Sequence, residues 1–157
     1  MNLLSLSRKT GKVLKKKGQT LVTAESCTGG GVAQAITAIA GSSEWFERGY
    51  VTYSNAAKRE SLGVPKQTLL RHGAVSEQTA RAMARGALKH SRGSIALAIT
   101  GIAGPGGGAP GKPVGTVCFA WVRGRRMRSE TRRFKGSRGR VRRQSVIHAL
   151  RGVLRCL

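Results

Sequence analysis

Residues 94–100, SIALAIT, place five apolar residues in a row between a serine and a threonine. The stretch that follows, GIAGPGGGAPGKP (101–113), is dominated by glycine and proline. A half-exposed strand alternates apolar with polar residues. An unbroken apolar run of strand length is what a strand covered on both faces requires. Such a strand needs helices above and below it, and the glycine-rich stretch reads as a loop at its end.

The neighbouring segments fit that frame. Upstream, TLVTA (20–24) is a second buried-strand candidate, and GYVTYS (49–54) is a third by its β-branched and aromatic content. Helical segments separate them. A basic helix over 5–17 has Leu6, Val13 and Leu14 as its apolar side and Lys15, Lys16 and Lys17 at its end, where cations suit the helix dipole. GGGVAQAITAIA reads as a helix running to Gly41, and a short helix is capped by Asn55 and ended by Gly63. Val64-Pro65 opens another turn, Ser76 caps a longer helix, and Gly93 closes it. Downstream, VGTVCFAWV (114–122) and MRSETRRF (127–134) form a hairpin about Arg123-Gly124-Arg125. A last helix begins near Ser137, with Val146, Ala149, Leu150, Val153, Leu154 and Leu157 on one face. Strands alternating with helices, then a hairpin and a final helix, predict an α/β fold. We expect a three-layer α/β/α sandwich with a mixed sheet, formed as a single domain over residues 1–157.

Composition removes several classes of function. No apolar run is long enough to span a bilayer and no charged-then-apolar leader opens the chain, so a cytoplasmic protein without a membrane partner is expected. Three cysteines, Cys27, Cys118 and Cys156, are odd in number and lack CxxC spacing. That argues against a disulfide framework or a zinc site, and for a reducing compartment. The chain carries 29 Lys+Arg against 6 acids, all of them glutamate, for a formal net charge of +23. With no aspartate and three dispersed histidines (His72, His90, His148), Ser-His-Asp triads, paired-aspartate hydrolysis and aspartate-rich magnesium sites lack their parts. Neither a metal nor a cofactor is expected. The charge predicts attraction to anions, whether a phosphorylated small molecule or nucleic acid.

Ligands of open α/β sheets bind beyond the carboxyl ends of the strands. Four segments could reach that edge. ESCTGGG (25–31) sets Ser26 and Cys27 side by side before Thr28, Gly29 and Gly30, at a helix start whose unpaired N–H groups suit an oxyanion or a phosphate. The same residue types are also ordinary caps. YSNAAK (53–58) supplies Tyr53 and Lys58; a lysine buried near a serine loses its proton more readily, because burial disfavours the charged form. Taken alone, the stretch reads better as a core tyrosine and a solvated surface lysine. TGIAGPGGG (100–108) offers free backbone N–H groups but fits neither GxGxxG nor a P-loop. The arginines of TRRFKGSRGRVRRQ (131–144) suit a phosphate or a nucleic-acid backbone, with Phe134 the single aromatic among them.

Taken in order, TAESCTGG, AGSSEWFERGYVTYSNAAK, LGVP, HGAVSE, TGIAGPGGG with KPVGTV, and VRRQ resemble the C-terminal domain of CinA-type competence/damage-inducible proteins, a family that also occurs as stand-alone nicotinamide-nucleotide amidohydrolases. The resemblance covers about residues 20–146. It implies hydrolysis of the carboxamide of nicotinamide mononucleotide to nicotinic acid mononucleotide and ammonia, by a serine nucleophile with lysine and tyrosine support. By motif match these are Ser26, Lys58 and Tyr53. The loop residues Thr100, Gly101, Ala103 and Gly104, and Arg142 or Arg143, would contact the nucleotide, with Thr28, Gly29, Gly30 and Asn55 completing the site. The sequence departs from the family pattern at Ala56, where glutamate is frequent, and at Ser137, where aspartate is frequent.

On this reading neutral Lys58 takes the Ser26 proton, directly or with Tyr53 between them, and N–H groups of residues 28–31 or 101–104 hold the oxyanion. No histidine lies close in sequence to ionise a thiol, so Ser26 rather than Cys27 is the expected nucleophile. The expected partner is a small nucleotide, and a homo-oligomer is expected. The competing reading is a nucleic-acid-binding or competence/damage-associated accessory protein with weak or no deamidase activity. It rests on the charge and on basic clusters at 8–17 and 123–143; nucleic acid is not the primary partner expected.

Overall fold

The computed structural model describes all 157 residues. Strands β1 (Leu21–Glu25), β2 (Phe46–Val51), β3 (Ile95–Gly101), β4 (Thr116–Arg123) and β5 (Arg126–Arg133) form one sheet in the order β2-β1-β3-β4-β5. β1 is parallel to β2 and β3, β4 is antiparallel to β3, and β5 is antiparallel to β4. The sheet is therefore mixed, as expected. Every strand except β4 points the same way, which gathers the carboxyl ends of β1, β2, β3 and β5 on one edge.

SIALAIT is the centre of the sheet, and its side chains divide by alternation. Ile95, Leu97 and Ile99 join a core with helices α1 (Leu3–Lys16), α2 (Gly31–Thr37) and α6 (Arg138–Arg155). Ala96 and Ala98 join a second core with α3 (Asn55–Leu62) and α5 (Glu77–Lys89). β4 repeats the division: Val117, Phe119 and Trp121 face the first core, and Cys118, Ala120 and Val122 face the second. Those two cores account for three layers. On the second face alanines let α5 lie close to the sheet, and Gly86 of α5 lets it touch the Leu62 carbonyl of α3. Between them, α4 (Lys66–His72) follows Pro65.

Several boundaries differ from the sequence reading. The helix after GGG stops at Thr37, and Gly41, at φ 82°, instead opens a 3₁₀ turn over Ser42–Glu44. Trp45 must bury its ring against Gly11 of α1, and its carbonyl accepts from Leu21 N–H; β2 therefore begins at Phe46 rather than Gly49. Ser54, not Asn55, caps α3: its backbone is extended and its hydroxyl accepts from Ala57 N–H at 3.0 Å. α5 ends at Lys89, ahead of Gly93, where the His90 carbonyl accepts from Tyr50 and Arg48 of β2. In α1 the buried face is Leu6, Ser7, Thr10, Gly11 and Leu14, with Val13 only half-buried. No helix is long and apolar enough to cross a membrane.

Candidate active site

Ser26 is the residue directly after β1, and its N–H still donates to the Ile99 carbonyl of β3 at 2.9 Å. Lys58 sits in the first turn of α3, directly after the neighbouring strand β2. Adjacent strand ends thus bring together residues 32 positions apart: Lys58 Nζ lies 3.2 Å from Ser26 Oγ and donates to the Tyr53 carbonyl at 3.0 Å. Ser26 is 7% exposed and Lys58 2% exposed, and no carboxylate pairs with the lysine. Burial pushes the Lys58 ammonium below its usual 10.5, because the charged form loses hydration. A neutral amine in this geometry can give one N–H to the Tyr53 carbonyl and present its lone pair to the serine.

Both groups open into a cleft of about 280 Å³. Its walls include Tyr53, Asn55, Thr100, Gly101, Ala103 and Gly104, all named from the sequence, together with Arg138 and the glycines Gly106 and Gly107. The N–H groups of Ala103, Gly104, Gly106 and Gly107 have no partner within the protein. Thr100 is buried, and its hydroxyl donates to the Ala74 carbonyl at 2.8 Å. Tyr53 does not lie between Lys58 and Ser26. Its ring is 61% exposed, and its hydroxyl accepts from Arg138 at 3.2 Å, while Arg138 also donates to the Gly104 carbonyl at 2.8 Å.

Other residues named from the sequence lie outside the cleft. Thr28 is buried and its hydroxyl donates to Glu25 at 2.6 Å. The fully buried Glu25 carboxylate also accepts from Val32 N–H at 2.9 Å and Ala33 N–H at 3.1 Å. The start of α2, read as an anion site, is thus already filled by the chain's own carboxylate. Gly29 and Gly30, at φ 58° and 96°, form the turn itself, with Gly29 and Gly31 N–H groups closing onto the Ser26 and Thr28 carbonyls. Arg142 grips this turn from α6, donating to the Cys27 carbonyl at 3.1 Å and the Thr28 carbonyl at 3.2 Å. Arg143 points to a different hollow, beside Leu3 and Gln34.

Two further observations narrow the chemistry. The Cys27 thiol is pushed up to about 12 by burial, so it stays protonated at neutral pH. A larger hollow, about 600 Å³ and lined by Arg71, Glu77, Arg81 and Lys112, holds no serine–lysine pair; its Thr131 hydroxyl donates to Glu77 at 2.8 Å, and its Cys118 thiol is raised by burial. Two residues escaped the sequence reading. Glu25 carried a usable signal, since an acid near a helix start complements its free N–H groups. Arg138 did not: it is one of seven basic residues between 132 and 143, and only the tertiary arrangement separates it from the rest.

The fold and the site define an α/β/α domain built around a serine–lysine pair at the carboxyl edge of its sheet. The chain belongs to the CinA C-terminal domain family, whose pattern matches residues 3–157. A nicotinamide-nucleotide amidohydrolase PncC of Pseudomonas putida is 53% identical over 152 residues, covering 97% of this chain and 95% of that protein. One of the same name from Escherichia coli strain K12 is 56% identical over 150 residues, covering 94% and 90%. The crystal structure of the competence/damage inducible protein CihA from Agrobacterium tumefaciens superposes with a TM-score of 0.95 at 45% identity, covering 98% of this chain and 94% of that one.

Proposed function

We propose that residues 1–157 act as one amidohydrolase domain that converts nicotinamide mononucleotide to nicotinic acid mononucleotide and ammonia. The contact between Lys58 Nζ and Ser26 Oγ carries this reading, because it joins a nucleophile to a buried base with no competing acid. Relatives at 53% and 56% identity named nicotinamide-nucleotide amidohydrolase supply the substrate. Ser26 Oγ gives its proton to neutral Lys58 and attacks the carboxamide carbon. The Cys27 N–H follows the nucleophile directly without a partner, and with those of Ala103 and Gly104 it is an available oxyanion donor. Each such donor stabilises the transition state by ~3–4 kcal/mol. Protonated Lys58 returns the proton to departing ammonia, and water then cleaves the acyl-enzyme.

In this scheme Tyr53 positions rather than relays: its carbonyl orients Lys58 and its hydroxyl holds Arg138. Arg138, at the mouth of the cleft, replaces Arg142 and Arg143 as the guanidinium for the 5′-phosphate. Asn55, Thr100, Gly101, Ala103 and Gly104 shape the pocket for the nucleotide. A cytoplasmic location fits the three free thiols, and a homo-oligomer fits the exposed Val51 and Tyr53 side chains at the open β2 edge, which size-exclusion chromatography tests. The decisive assay is ammonia release from nicotinamide mononucleotide by wild type, Ser26→Ala and Lys58→Ala. Both variants should lose at least a hundredfold in kcat; full activity in Ser26→Ala refutes the mechanism.

A further inference from the structure

The catalytic scheme uses Lys58 and Arg138; among the other 27 lysines and arginines some, such as Arg142, Arg123 and Lys112, hold backbone carbonyls, and many have no such partner. The six glutamates neutralise few of them. Glu25 is buried as a helix cap, Glu77 accepts from Ser129 and Thr131, and only Glu44, Glu47 and Glu130 form ion pairs. Five arginines share one surface, with Glu130 among them, 4.0 Å from Arg128 and 3.0 Å from Arg155. β5 is an open edge of the sheet, and Glu130 on its α6-facing side bonds His148 and Arg155 of α6. Alternation puts Arg126, Arg128 and Arg132 on that same side, all three exposed. Exposed Arg151 falls on the same helical stripe as His148 and Arg155, so the row of arginines continues from the strand onto the helix.

We propose that this surface, the β5 edge with the Arg151–Arg155 stripe of α6, docks the sugar-phosphate backbone of a nucleic acid. Alternate strand residues repeat about every 6.8 Å, the scale of the step between successive phosphates along one nucleic-acid strand. Arginines on an edge strand alone could serve only to discourage strand pairing. Arg151 and Arg155 lie off the edge, on a helix that needs no such protection. A second copy is a poor occupant, since two rows of arginines would face each other. The surface carries no exposed aromatic side chain to stack on bases, so docking reads charge and not sequence.

The test is fluorescence anisotropy with a 20-mer DNA duplex and a 20-mer single-stranded RNA, each in two unrelated sequences, titrated across salt. Five phosphate contacts give a log–log salt slope of about −4.5 on the duplex and about −3.5 on the single strand, roughly a 500-fold and a 130-fold loss of affinity between 50 and 200 mM salt. Replacing Arg126, Arg128 and Arg132 together by glutamine should flatten the duplex slope by about 3, and replacing them by lysine should restore it. Ammonia release should stay unchanged in both triple variants, which reports an intact fold. The proposal is overturned if the glutamine triple keeps the wild-type slope. It is equally overturned if Arg8, Lys9 and Lys12 of α1 changed to glutamine cause the same loss, or if poly-glutamate binds with this dependence and nucleic acid does not. Whichever of duplex and single strand binds more tightly names the source of the backbone.

Discussion

Replacing Glu25 with alanine removes one acceptor from three donors, the Thr28 hydroxyl and the Val32 and Ala33 N–H groups, in a site with no solvent exposure. Hydrogen bonds to a charged acceptor contribute about 1.5–3 kcal/mol each, and burying the carboxylate itself costs several kcal/mol. The net loss is about 3–4 kcal/mol, a fall of about 10 °C in Tm for a chain of this size. Glu25→Gln keeps the shape and one acceptor oxygen but turns an amide N–H toward a backbone N–H, and should cost about 2 kcal/mol. Urea unfolding followed by tryptophan fluorescence reads both variants, since Trp45 and Trp121 are buried and will report exposure. Because Glu25 fixes the turn that begins at Ser26, kcat for ammonia release should fall by more than the folded fraction explains, while KM moves little. Glu25→Ala within 1 kcal/mol of wild type, with unchanged kcat, would refute the idea that this carboxylate fixes the nucleophile turn.

Four other outcomes follow from the same geometry. Burial holds Lys58 below 10.5, so kcat/KM should rise with pH through that lowered value and level off before 10.5; Lys58→Arg, always protonated, should be inactive at every pH. The unfolded chain binds the extra proton between the folded value and 10.5, so this lysine makes stability rise with pH across that window, and its burial penalty is fully present below the folded value. Lys58→Met should therefore be more stable at pH 7 by about 1 kcal/mol in urea unfolding, and a loss of stability would contradict the assignment. Cys27→Ala should keep activity within a few-fold, and iodoacetamide at pH 8 should leave wild type active, because the Cys27 thiol lies at about 12. Gly86→Ala would press a methyl into the Leu62 carbonyl, forcing α3 off α5 at a cost of about 3 kcal/mol by thermal or urea unfolding.

The layers and their order were legible in the sequence because they follow from local pattern. SIALAIT had to be covered on both faces, and Ser76, Gly63 and Ser137 marked helix boundaries through capping chemistry that depends only on neighbouring residues. Boundaries went astray where a distant contact prevailed: Trp45 reaching Gly11, and the His90 carbonyl reaching β2. The site divides in the same way. That Ser26 and Lys58 stand at adjacent strand ends follows from the parallel β1–β2 pairing that alternating strands and helices imply. Which polar groups were already occupied could not be read along the chain. Glu25 fills the start of α2, Arg142 holds the Cys27 and Thr28 carbonyls, and Arg138 alone of its basic run reaches the cleft. A hydrogen-bonding group is spent on whatever partner the folded chain places within about 3 Å, and that distance is set by packing between elements far apart in sequence.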